Sequence, residues 1–151
     1  MKVILVLAIS LLLASCATNT KYKPPGSVKV HELTSVNEPG KTTPRLVAIS
    51  DYHLASYSGN PSDYRVTINF LSKGGSGGTI FLTNFRDLIV KQSGRIYVPI
   101  VSIDEALLAG INSAKNIATP YRAFVGIHEM TGKNESKLAA ESDIFSVTFP
   151  Q

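Results

Sequence analysis

The chain is expected to fold as a mostly β domain, an antiparallel β-sandwich with one short helix around 103–113. Two observations carry that expectation. Residues 64–70 alternate strictly, with Tyr64, Val66, Ile68 and Phe70 on one face and Arg65, Thr67 and Asn69 on the other, as a half-buried strand must. Clusters of Gly, Pro, Asn and Ser then punctuate the chain at 38–40, 58–61, 74–78, 93–94 and 131–134, which is turn chemistry. A parallel sheet would demand helices between its strands, and the pattern offers only one.

Taken in order, the strands are expected at 27–33, 45–54, 64–70, 79–84, 87–91, 95–101, 121–130 and 143–149. In the last of these Phe145, Val147 and Phe149 share one face. The helix begins where Ser102 can cap it and Glu105, three residues later, can complete a capping box. Asp104 adds favourable charge to the first turn, and Ile103, Leu107 and Ile111 form an apolar stripe. Gly110 weakens the helix, and about three turns are expected.

The first twenty residues address the chain rather than fold it. Lys2 is followed by a run, 3–14, in which only Ser10 is polar. A membrane-crossing helix needs roughly 20 apolar residues, so this run is too short to span a bilayer. Charge, short apolar core and small residues are the layout of a secretory signal. At Leu13-Ala14-Ser15-Cys16 the chain resembles the bacterial lipoproteins. The resemblance implies a signal peptide at 1–15, cleavage before Cys16, and palmitate-type lipid on Cys16. It also implies, through Ala17, an outer-membrane anchor; the periplasmic face is preferred to the exterior, with both left open by the residues. Cys16 is the one cysteine in the chain, so no intramolecular disulfide can form. Residues 16–26, with their Pro24-Pro25-Gly26, have the composition of a flexible tether, leaving 27–151 as a single sandwich domain.

The chain carries 15 Lys and Arg against 11 Asp and Glu, a formal net charge of +4. The basic residues are dispersed, whereas a nucleic-acid footprint clusters them, so no nucleic-acid partner is expected. Lys21, Lys23 and Lys29 could meet an anionic membrane surface, or simply solvate the tether.

Catalytic and metal patterns are sparse. Gly74-Gly75-Ser76-Gly77-Gly78 matches the nucleophile elbow G-x-S-x-G, which would make Ser76 the nucleophile of a hydrolase. An elbow leads into a helix, however, and 79–82 continues as a strand, so the stretch reads as a hairpin loop. His31-Glu32 and His128-Glu129 are sequence neighbours whose side chains point to opposite faces of a strand. Asp51 and His53, two apart, share a face and could bind a metal or small ligand. Tyr52, Tyr57 and Tyr64 bracket a Ser-, Gly- and Asn-rich loop of recognition-loop composition, so Tyr52 and Tyr57 join Asp51 and His53 as candidate binding residues. No spacing calls for a cofactor.

The final third carries a second resemblance. Residues 121–127, the Gly132 turn and residues 142–149 are similar to the last hairpin of fibronectin type III and other immunoglobulin-like domains, with Tyr121 at the tyrosine-corner position. A transthyretin-like sandwich fits the alternation equally. The sequence thus points to a non-enzymatic envelope lipoprotein that binds another envelope protein or polymer. The alternatives are a ligand or metal module at Asp51 and His53, and a hydrolase at Ser76.

Overall fold

The computed structural model describes residues 23–74 and 78–150, so the expected signal peptide, Cys16 and Ser76 lie outside the described residues. Within them are eight strands: β1 (Gly26–Val36), β2 (Arg45–His53), β3 (Tyr64–Leu71), β4 (Thr79–Arg86), β5 (Ser93–Ile100), β6 (Arg122–Met130), β7 (Ser136–Glu141) and β8 (Phe145–Ser146). The helix α1 is Ile103–Leu108, and 3₁₀ turns occupy Pro61–Asp63 and Asn112–Asn116. The strands form one sheet in the order β4-β3-β6-β7-β1-β2-β5, with β8 beside β6, and this sheet curls into a half-barrel. The mostly β class with one short helix is therefore what the alternation dictates.

The two layers expected of a sandwich are halves of one continuous sheet. They join where β1 runs parallel to β7 through two residue pairs, Gly26↔Ala140 and Ser27↔Glu141. Inside the curl, Tyr64, Phe70, Leu54, Ile89, Ile100 and Ile127 are among the largest fully buried side chains, and one cluster runs from Val28 to Val147. Burial of this apolar surface is the main favourable term holding the halves together.

Four elements differ from the sequence expectation. Residues 87–91 are not a strand. They begin a strap, 87–92, that connects the two edge strands β4 and β5 across the open side. Asp87 sits at φ 59, a conformation that breaks a strand, and Ile89 is driven wholly into the core. The hydroxyls of Tyr52 and Tyr57 donate to the carbonyls of Lys91 (2.9 Å) and Ile89 (3.2 Å), and Leu54 N–H donates to Gln92 O (2.8 Å). Three carbonyls of the strap are satisfied in this way.

Strand β7 was not expected, because Ser-Lys-Leu-Ala-Ala-Glu is poor in β-formers. Its place is set by pairing with β6 on one side and β1 on the other, a case of context overriding propensity. The last expected strand shrinks to β8. Before it, Ser142 Oγ accepts from Val125 N–H and donates to Asp143 O, taking over from a backbone ladder. Helix α1 keeps its Ser102 cap, whose hydroxyl accepts from Glu105 N–H at 3.1 Å, but ends after six residues. Gly110 at φ 81 closes it: Gly110 N–H donates to Leu107 O and Ile111 N–H to Ala106 O, a Schellman stop.

The tether also ends sooner than 26. Pro24 is buried, and Gly26 is packed so closely that a Cβ there would lie 2.6 Å from Ala139 O and 2.7 Å from His53 O.

Apart from the β1–β7 join, the strand pairs are antiparallel, which sorts the connections into two poles. Loops 54–63, 87–92 and 131–135 lie at the pole where the chain enters β1, the tether pole. Loops 37–44 and 101–121, residues 72–74 and 78, and residues 147–150 lie at the far pole.

Candidate functional site

A cleft of about 630 Å³ opens at the far pole. Its floor comes from the ends of β2 and β5, Leu46 and Ile100, and its walls from loop 37–44, α1 and the C-terminal Phe149 and Pro150. Tyr121 presents its ring edge to Phe149 at 5.7 Å, and Phe149 in turn lies 6.4 Å from Phe70, so the aromatic wall is braced on the core. On the rim Leu108 is 90% exposed, although it is a large apolar side chain. The lining mixes apolar side chains with polar and charged ones, among them Glu38, Lys41, Arg45, Asp104 and Glu105, and the volume is that of a binding cleft.

Arg45 is its charged centre. Nε lies 2.9 Å from Glu38 and the guanidinium Nη2 donates to Glu105 at 3.0 Å. The pairs are solvent-exposed and contribute on the order of 0–1 kcal/mol each, so their main effect is positional. They fasten loop 37–44 and the first turn of α1 to the start of β2. Glu105 therefore spends its carboxylate on Arg45, and only the Ser102 half of the expected capping box is made.

A second polar constellation lies on the outer face of β1, β2 and β5. Lys29, Asp51 and Arg95 form one cross-strand rung. Arg95 reaches Asp51 with Nε at 2.7 Å and Nη2 at 3.1 Å, and His31 Nε2 lies 2.7 Å from the same carboxylate. His31 can do so because the β1–β2 register slips between Val30 and Glu32, a bulge that re-aims its ring. The Arg95 hydrogen bond, aided by His31 against a desolvation penalty, holds the Asp51 carboxyl down to about 2 from 3.8. A depressed carboxyl adds stability above its unfolded value, and the contribution is lost as pH falls from 3.8 through about 2. Asp51→Asn is thus expected to lower the denaturation midpoint at neutral pH and to change it little in strong acid. Equal losses at both would contradict the pairing.

The sequence placed Asp51 with His53, but the structure gives Asp51 to Arg95 and His31. His53 is exposed at the end of β2, between Ser27 and Ser93. Among the described residues no group of three or more His, Cys, Asp and Glu side chains could hold a metal ion. Tyr52 is 4% exposed and points inward, and Tyr57 stacks on Tyr64 at 5.3 Å. Both brace the strap instead of lining an open recognition loop.

A third cluster lies on β3 and β6. Asn69 Nδ2 donates to Thr67 Oγ1 at 2.7 Å, and Thr67 Oγ1 lies 3.1 Å from His128 Nε2. All three fill the space left by the missing side chain of Gly126, whose Cβ would meet them at 2.9–3.2 Å. Burial pushes the His128 imidazole below its usual range, keeping it neutral at physiological pH. The cluster sits outside the cleft, and its groups satisfy one another.

Sequence reasoning missed Arg45 and Glu38, and read Glu105 only as a cap. Arg45 and Glu105 are sixty positions apart, and no local spacing could have joined them. No protein-family model, curated protein or solved structure matches the chain.

Proposed function

We propose that the chain is a lipid-anchored envelope lipoprotein, held in the outer membrane through Cys16, that binds another envelope protein or polymer without catalysing a reaction on it. One observation supports this best. The chain enters β1 at one pole, and the cleft opens at the other. β1 has eleven residues, which at about 3.3 Å per residue separates the ends of that strand by roughly 35 Å. An anchored domain built this way carries its cleft away from the bilayer and towards a partner. The exposed Leu108 and the braced Tyr121–Phe149 wall supply apolar contact, and Arg45 with its carboxylates supplies a polar centre. Copurification of the tagged lipoprotein from detergent-solubilised membranes tests this. A stoichiometric partner should be recovered with the natural chain and lost with Leu108→Lys.

A further inference from the structure

We infer that the tether pole is a docking surface for the anionic phospholipid headgroups of the membrane, centred on Arg65 and Arg86; this rests on the lipid-anchor reading. Arg65 and Arg86 stand directly opposite each other on β3 and β4, near the ends of those strands at the tether pole. Like charges placed so repel and cost stability, so the arrangement favours an anion that bridges them. Arg65 Nη1 donates to the carbonyls of Ser62 and Tyr64, which holds the guanidinium at the pole without neutralising it.

Of the acidic groups nearby, Asp51 is held by Arg95 and His31 and Glu129 pairs with Lys137, while Asp63 and Asp87 accept only from the neutral Asn60 Nδ2 and Ser62 Oγ and keep their charge. Lys133 and Glu135 share one turn, and their charges cancel. Among the described residues, at the half of the molecule where the chain enters β1, Arg65, Arg86, Lys23, Lys29 and Lys91 form no ion pair with a carboxylate. Lys41, Lys73, Lys115 and Arg122 towards the far pole form none either, so what distinguishes the tether pole is the Arg65–Arg86 rung, two cations directly paired across strands.

The tether strengthens the geometry. With Pro24 buried, 17–23 alone separates Cys16 from the folded domain, a reach of about 25 Å at most. A lipid on Cys16 would keep this pole within that distance of the bilayer. Each basic side chain near an anionic surface strengthens attachment, so docking would also orient the far-pole cleft outward.

The test uses the chain from Ala17 onward without lipid, so that its result is independent of whether Cys16 is acylated. Cosedimentation is measured with phosphatidylcholine vesicles containing phosphatidylglycerol, with pure phosphatidylcholine vesicles, and at low and high salt. Binding is expected to the anionic vesicles only, and to fade at high salt. Arg65→Ser and Arg86→Ser should each weaken it about fivefold, while Arg122→Ser at the far pole leaves it unchanged. Arg86→Glu, which places opposite charges across the rung, should abolish binding and melt no lower than the natural chain.

Equal binding to neutral vesicles, or an Arg122→Ser loss as large as that of Arg86→Ser, would overturn the proposal. So would complete competition by inorganic phosphate at matched ionic strength, which would mark a free-phosphate site instead. Failure of the natural chain to label with palmitate at Cys16 would instead refute the anchor and leave the vesicle result standing.

Discussion

Ile89→Ala is expected to cost about 2–5 kcal/mol of stability, the range for truncating a fully buried aliphatic side chain. Ile89 is completely buried, yet it comes from the strap 87–92 and not from a strand. The half-barrel leaves β4 and β5 as edges, and the strap that joins them carries one large apolar side chain into the opening. Truncating it would leave a cavity next to Leu54 and the tyrosines that bind the strap backbone. The neighbouring Val90 is 61% exposed, and Val90→Ala should change stability by less than about 0.5 kcal/mol. Urea denaturation of the two variants separates them. Similar losses would show that the strap does not close the core.

The second large effect is expected at the join between the two halves. Gly26→Val would put a Cβ against two backbone carbonyls, Ala139 O and His53 O, and against the Ala140 side chain at 3.0 Å. Backbone atoms cannot swing aside as a side chain can, so β1 must move away from β7 or from the end of β2. Overpacking of this kind typically costs about 1–3 kcal/mol. The β1–β7 join has two residue pairs, and loss of either leaves little to hold the halves in register. Amide exchange should therefore accelerate around the Gly26–Ala140 and Ser27–Glu141 pairs more than in the β3–β6 ladder. Wild-type exchange at the join, with a wild-type melting temperature, would contradict this.

The sequence disclosed the elements whose folding is local. Strict alternation places Tyr64, Val66, Ile68 and Phe70 in the core, and all four are buried there. Ser102 caps the helix as its spacing implied. What could not be read depends on distant partners. Asp87 to Lys91 looks like a strand because nothing local reveals that Ile89 must plug an opening. Ala139 and Ala140 give no strand signal, yet small side chains suit the crowded join at Gly26. The candidate site was hidden for the same reason: Glu38, Arg45, Glu105, Tyr121 and Phe149 come from four separate segments that only the topology brings to one pole. Asp51 was legible as a polar outer-face residue. Its partnership with His31 required a bulge that no residue pattern announced.

The central claim is that the far-pole cleft faces a partner while the opposite pole faces the membrane. Copurification from solubilised membranes tests it most directly when the natural chain is compared with two single variants. Leu108→Lys alters the exposed rim of the cleft, and a cation there near the end of α1, four residues after Asp104, is compatible with the helix. Arg86→Ser alters the tether pole. The account predicts a stoichiometric partner with the natural chain and with Arg86→Ser, and its loss with Leu108→Lys. Recovery of the same partner with Leu108→Lys, with loss on Arg86→Ser, would place the binding surface at the wrong pole and contradict the account.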